Sequence, residues 1–291
     1  MAIRVGTSSW TDPGFIRHWY PQGLSAAERL AYYAERFDCV ELNASFYGLP
    51  AERQAELWAE RTPEGFVFDI KLHRYLSHHA TPPDALPSDL REQCEVDPQG
   101  HVVRDPDLER ELSRRLRAAL SPLASQGKLG AFLLQLTPAF SPRRHELIEL
   151  DVVLDDLEPV AVEFRNRHWL DGERRGEVIA YLRDHGATFV AVDAPRGDHF
   201  MIMPPLDVNT NAELGYLRCH GRNLDGYLHG RSVAERFDYD YPPEEVEEIA
   251  DRARVMADEA EEVHVMFNNN ARDYAPKAAR RMLQALGQAA E

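Results

Sequence analysis

One kind of position in this sequence gathers most of its chemistry: the last residues of short β-branched or apolar runs. Glu41, Asp69, Glu163 and Asp193 bring carboxylates to these run ends, Lys71, Arg165 and Arg218 bring permanent or near-permanent cations, and His220 can add another. Carboxylates at such positions suit proton transfer, their pKa set by the neighbouring cations and by burial. Glu41 and Glu163 are the expected general acid and base, with His220 as a further proton carrier. Lys71, Arg165, Arg218 and Arg222 are donors suited to a carboxylate or phosphate, arginine's planar fork above all. Ser8, Asn43, Gln135, Asp193, Asn268 and Asn269 stand at or just past run ends and are expected to hydrogen-bond a ligand. Trp10, Phe46, Tyr47 and Trp169 follow run ends and are expected to stack on a sugar or base face, although packing the loops is at least as good a use of each ring. Ser8 and Ser9 lie in no Gly-x-Ser-x-Gly elbow and read as turn or ligand-contacting hydroxyls rather than nucleophiles.

The runs that must position these groups number eight: 3–8, 39–43, 66–71, 130–136, 160–165, 188–193, 215–220 and 264–268. Helical stretches with their own punctuation separate them. Ser25 and Glu28 form a capping-box pair, Asp105-Pro106 and Ser141-Pro142 each place a cap before a first-turn proline, and Gly186 follows a helix ending in Arg183-Asp184-His185. Strands alternating with helices imply parallel pairing, and eight units in 291 residues match a single-domain (β/α)8 TIM barrel. An open doubly wound sheet is the alternative, but no Gly-x-Gly-x-x-Gly or Gly-x4-Gly-Lys-Ser/Thr follows the first run. Residues 80–105, rich in Pro, Asp and Gln, read as an insertion after the third strand. Residues 194–214, with little periodicity, read as a loop replacing the helix after the sixth. Both are candidate lids or specificity segments.

Side chains alternate across a strand, so each run divides into two faces. Val40/Leu42, Phe68/Ile70, Val162/Phe164, Val190/Val192 and Leu217/Cys219 form the face expected to pack against outer helices. The opposite parity, Glu41/Asn43, Asp69/Lys71, Gln135, Glu163/Arg165, Asp193, Arg218/His220 and His264/Asn268, then points into the barrel. Burying an ion costs several kcal/mol even after relaxation, against a fold stability of about 5–15 kcal/mol, so this many interior charges require mutual pairing, water or a ligand. A polar pocket at the C-terminal mouth accounts for them; an internal salt-bridge lattice is the competing account.

Composition narrows the function. The chain carries 33 Lys plus Arg against 49 Asp plus Glu, a formal charge of −16, which argues against a surface built to track nucleic-acid phosphates or anionic lipid. Nine acids and two arginines fall within residues 244–262, so much of the excess belongs to one outer helix and leaves room for a basic mouth. No apolar run approaches membrane-spanning length, and the first residues lead into a strand rather than a signal peptide, so a cytoplasmic protein is expected. Three widely spaced cysteines argue against a disulfide framework or a Cys-based metal site. The expected partner is one small anionic metabolite, with no cofactor. A divalent metal remains an alternative, held by Glu41, Glu163, Asp193 and His220 in an isomerase-like or hydrolytic enzyme, but Lys71, Arg165 and Arg218 compete for the same carboxylates. A noncatalytic small-ligand-binding or regulatory protein would use the same pocket. His73, His78 and His79 precede a proline-rich stretch and read as a solvated loop rather than a metal site.

The motifs themselves carry a resemblance. Val5-Gly6-Thr7-Ser8-Ser9-Trp10, Val40-Glu41-Leu42-Asn43-Ala44-Ser45-Phe46-Tyr47, Phe68-Asp69-Ile70-Lys71 with Ser77-His78, Leu134-Gln135-Leu136-Thr137-Pro138, Val162-Glu163-Phe164-Arg165 with His168-Trp169, Arg218-Cys219-His220-Gly221-Arg222 and Phe267-Asn268-Asn269 occur in order along the chain. Over essentially its whole length the chain resembles the YecE-like family, domain of unknown function 72. The resemblance implies a TIM barrel and leaves the chemistry open; the sugar-isomerase-like label attached to such proteins is an analogy of fold. Ala275-Pro276-Lys277-Ala278 and Gly48 depart from the family pattern and are not carried over as functional.

Overall fold

Period-two alternation in the eight runs produces eight strands, and their parallel pairing closes a barrel. The strands are β1 (Ala2–Thr7), β2 (Cys39–Leu42), β3 (Val67–Lys71), β4 (Leu129–Gln135), β5 (Val160–Glu163), β6 (Thr188–Asp193), β7 (Leu214–Cys219) and β8 (Glu262–Phe267). They are ordered by sequence around the barrel, and β1 closes it by pairing with both β2 and β8. The computed structural model describes residues 2–288. Helices Arg29–Ala34, Glu52–Glu60, Pro106–Ala119, Asp151–Asp156, Arg174–Asp184 and Pro243–Ala257 return the chain over the outside between strands, and Tyr274–Ala285 follows β8. No helix lies between β6 and β7, where the sequence predicts a loop. Among the described residues no helix is long and apolar enough to cross a membrane.

Local chemistry explains these elements. In Pro106–Ala119, Asp105 caps the first turn by accepting from the Asp107 N–H, and Leu108, Leu112 and Leu116 recur every fourth residue on the buried face. Gly186, at φ +60°, ends Arg174–Asp184 in a left-handed conformation that only glycine adopts cheaply. Two cap readings shift. Glu28 does accept from the Ser25 backbone at 3.0 Å, but the helix begins only at Arg29. Ser141-Pro142 opens a turn and no helix. The Glu146 N–H instead donates to Glu149 at 2.8 Å, and the helical path starts as a 3-10 turn at Leu147–Leu150.

The insertion is folded rather than open. It holds a 3-10 turn Pro83–Ala85, a short helix Ser88–Arg91 and an antiparallel bridge between Val96 and Val102, with Leu86, Leu90 and Val102 buried. Cys39 and Cys219 are buried in the barrel wall, where burial and neighbouring carboxylates hold both thiols well above their ordinary pKa, and Cys94 is half-buried in the insertion.

Candidate functional site

The inward parity of five strands meets in the barrel. Glu41, Asp69, Glu163, Arg218, His220 and His264 are all buried. Arg218 is the centrepiece: its Nε and Nη2 donate to the two oxygens of Glu41 at 2.8 and 2.6 Å, while Nη1 donates to Glu163 Oε2. Burial alone would discharge this guanidinium, but the flanking glutamates raise its pKa above the ordinary value. Glu163 has four donors. Besides Arg218, its Oε1 accepts from Gln135 Nε2 at 2.9 Å, His220 Nε2 at 3.1 Å and Arg165 Nη1 at 3.3 Å. Burial works against its charge, yet Arg218 and His220 hold it well below the usual carboxylate range. Such a carboxylate is a weak base, which alters the role expected of Glu163.

His220 is likewise committed. The Asn268 amide nitrogen lies 3.0 Å from its Nδ1, and Asn268 Oδ1 in turn accepts from the Ser8 hydroxyl. Those polarities assign the proton to Nε2, which donates to Glu163. Burial lowers the imidazole pKa to about 4, so the ring is neutral and both nitrogens are in use. Asn43 donates to the Ser8 carbonyl and ties the ends of β1 and β2.

Toward solvent the balance of charge changes. Lys71 Nζ donates to Gln135 Oε1 at 2.8 Å and sits 4.6 Å from the Phe46 ring centre. Burial and the nearby Arg218 lower its pKa to about 8. Arg165 lies over Tyr227, 5.4 Å from the ring centre, and its Nε has no hydrogen-bond partner among the described residues. These two cations border a cavity of about 260 Å³ that Phe46, His79, Met201, Tyr227 and Phe237 also line. His79 is neutral there, burial and Lys71 having pushed it to about 4, and its Nδ1 has no hydrogen-bond partner among the described residues. The 194–214 loop contributes Met201, whereas the 80–105 insertion contributes none of these residues.

Several expected ligand contacts lie elsewhere. Asp193 was expected to point inward, with Val190 and Val192 outward; β6 has the reverse parity. Val190 and Val192 align with the inward Tyr216 and Arg218, and Asp193 aligns with the outward Cys219. Its carboxylate binds Arg222 at 2.8 Å, Arg252 of the outer helix at 3.0 Å and the Tyr241 hydroxyl at 2.6 Å. Asp193 and Arg222 thus belong to a separate cleft of about 480 Å³ on the rim. The metal set Glu41, Glu163, Asp193 and His220 consequently does not converge, and Arg218 fills the space between its two glutamates. Trp10 is buried edge-to-face against Trp58 and Phe68, with ring centres 5.8 and 6.0 Å away. Trp169 stacks on Phe140 at 5.2 Å and donates to its carbonyl at 2.9 Å. Both rings pack loops. Tyr47 is exposed beside Phe46, and Asn269 donates to the Tyr239 carbonyl at 2.8 Å, outside the cavity. The reading of His73, His78 and His79 as a solvated loop also fails: His73 is buried with Nε2 3.1 Å from the Ala85 carbonyl, and the His78 side chain is 1% exposed.

Sequence reasoning missed Tyr216, whose hydroxyl reaches Glu41 at 3.3 Å, although its inward parity with Arg218 was a usable signal. It also missed Tyr227 and Phe237, which arrive on short helical turns, Leu224–His229 and just past Val233–Arg236, that carry no strand register.

A family model described as "Protein of unknown function DUF72" matches residues 4–291. The UPF0759 protein YunF of Bacillus subtilis is 26% identical over 98% of this chain and 94% of its own length. The UPF0759 protein YecE of Escherichia coli is 30% identical over 66% of this chain and 59% of its own. Among solved structures, a DUF72 family protein of Thermotoga maritima superposes with a TM-score of 0.79 at 26% identity, covering 99% of this chain and 100% of that one. One from Enterococcus faecalis gives 0.79 at 25% identity over 99% and 97%. A match that runs from β1 through the last helix, joined to the same closed barrel in solved relatives, makes this chain a member of the DUF72 family, the YecE-like proteins.

Proposed function

We propose that this barrel is an enzyme acting on a small metabolite that carries a carboxylate or phosphate, with proton transfer at the C-terminal mouth. One observation carries the reading. The two glutamates behind the cavity face three cations, Arg218, Arg165 and Lys71, so one positive charge on the cavity side has no carboxylate to match it. An anion seated there supplies the acceptors that Lys71 and Arg165 lack, and the Phe46, Tyr227 and Phe237 rings offer faces for a sugar or planar group. Lys71 is the proton carrier in this reading. With a pKa near 8 it gives and takes a proton close to neutrality, whereas Glu163 is held ionised and His220 has no free nitrogen. That full commitment of Glu163 and His220 also favours a second reading, a noncatalytic anion-binding protein built on the same pocket.

Titration calorimetry with inorganic phosphate and glucose 6-phosphate tests the site. Lys71→Met and Arg165→Gln should each weaken binding by about tenfold or more, the worth of one charged hydrogen bond. Wild-type affinity should fall as pH rises through about 8, where Lys71 loses its charge. Unaltered affinity in both variants overturns the site. Proton-exchange NMR on whichever sugar phosphates bind then separates the readings: solvent deuterium entering a bound substrate, and lost in Lys71→Met, supports the enzyme, and its absence supports the binding protein.

A further inference from the structure

Away from the cavity a second cluster stands where the segments after β3 and β4 meet. His78, His145 and Glu149 each offer one ligand atom, and these atoms all lie within 4.8 Å of one another. We propose that these three side chains bind one divalent transition-metal ion of the zinc class.

The buried histidine points to a ligand. The His78 side chain is 1% exposed, and neither ring nitrogen has a hydrogen-bond partner among the described residues. A buried polar group left in that state costs about 1–3 kcal/mol, and a metal bond removes the cost for one nitrogen. The His78 backbone sits at φ +59°, a conformation uncommon for a residue other than glycine. His145 Nδ1 lies 2.9 Å from Glu149 Oε2, and His78 Nδ1 lies 3.8 Å from the same oxygen. Zinc with bonds of about 2.1 Å places tetrahedral ligands roughly 3.4 Å apart, so small side-chain rotations suffice.

The surroundings have the character of a metal site. The other Glu149 oxygen accepts from the Glu146 N–H at 2.8 Å, which fixes the carboxylate's orientation. Phe140 supplies an apolar wall, its ring centre 4.7 Å from those of both His78 and His145. The nearby Arg104 is paired with Glu109, although its charge also acts on Glu149 and His78. His145 and Glu149 keep 27% and 34% of their side chains exposed, which gives an ion its way in and leaves the fourth position open to water or a small ligand. The ion would tie two mouth loops together, and the next residue, His79, lines the cavity.

Chelator-stripped full-length protein titrated with Zn²⁺ against a chromophoric competitor should bind one ion per chain. Affinity should fall at least 100-fold in His145→Ala and in Glu149→Gln, both of which alter partly exposed residues and should leave the fold intact. Co²⁺ should give the visible absorption of a four-coordinate N/O site in the wild type only. His78→Ala is expected to abolish binding as well, but the other two variants carry the test if it misfolds. Wild-type protein that takes up no stoichiometric zinc, or variants that bind as tightly as wild type because exposed histidines hold the ion, overturns the proposal.

Discussion

Glu163 shows how one residue can organise a site without performing its chemistry. Four donors converge on two oxygens, and each donor is fixed by a further contact: Arg218 by Glu41, His220 by Asn268, Gln135 by Lys71 and Arg165 by the Tyr227 face. Replacing Glu163 by Gln removes a buried negative charge but leaves Arg218 fully buried beside a single glutamate. Breaking such a pair is expected to destabilise the fold by about 3–5 kcal/mol in urea denaturation, whereas Arg165→Gln, at the solvent edge of the network, should cost less than about 1 kcal/mol. Equal effects would mean that Glu163 is not the hub. Strand parity sufficed to bring Glu41, Lys71, Glu163, Arg165, Arg218 and His220 together from sequence. It could not foresee that Arg218 would consume both glutamates, because ion pairing across a barrel depends on strands far apart in the chain.

At the scale of elements, the site residues stand where strands stop. Ser8, Arg165, His220 and Asn268 each lie one or two positions beyond their strand, continuing its parity into the mouth. The eight runs were legible because parallel strands buried on both sides must be apolar on the helix-facing side. β6 was misread because Phe189, Val190, Ala191 and Val192 are apolar on both faces, leaving Asp193 as the sole and misleading marker of the inside. The aromatic lining from the segment after β7 was illegible for a different reason: its short turns have too few residues to show a period. Closure of the barrel rests on a tighter constraint. A Cβ on Gly6 would stand 2.2 Å from the Cys39 carbonyl oxygen, a backbone atom of the adjoining strand. Gly6→Ala must push β1 from β2 at a seam with only two aligned residue pairs. A loss of about 1–3 kcal/mol in thermal or urea unfolding is expected, and a neutral substitution would show that the seam yields freely.

Across the whole molecule, the excess negative charge is densest in one outer stretch, residues 244–262, where nine acids face two arginines, whereas the interior holds nearly matched charge down to its floor. There His264 lies 2.8 Å from Asp69 and 3.7 Å from Glu262. Burial alone would lower its pKa, but the two carboxylates outweigh burial and raise it to about 9. A histidine with a folded pKa above its unfolded value of 6.5 contributes stability that is complete below 6.5 and is lost as pH climbs toward 9. Lys71 opposes this only above about 8, since its lowered pKa returns stability between there and 10.5. On the acid side, neutral His73 and His220, both near 4, favour unfolding below 6.5 because the unfolded chain binds their protons more readily. The His264 contribution should therefore shrink by about 1.5 kcal/mol between pH 6.5 and pH 8. Urea titrations of wild type and His264→Gln at those two pH values should show the stability difference between them narrow by that amount; a difference that does not change with pH would contradict the charged floor.

The same closed wall has a consequence for redox chemistry. Cys39 and Cys219 lie inside it as protonated thiols, and oxidation or alkylation proceeds through an accessible thiolate. While the barrel stays shut, thiol-directed oxidants and electrophiles reach Cys94 in the folded insertion first, and thiol oxidation or disulfide exchange begins there and spares the two cysteines of the barrel wall.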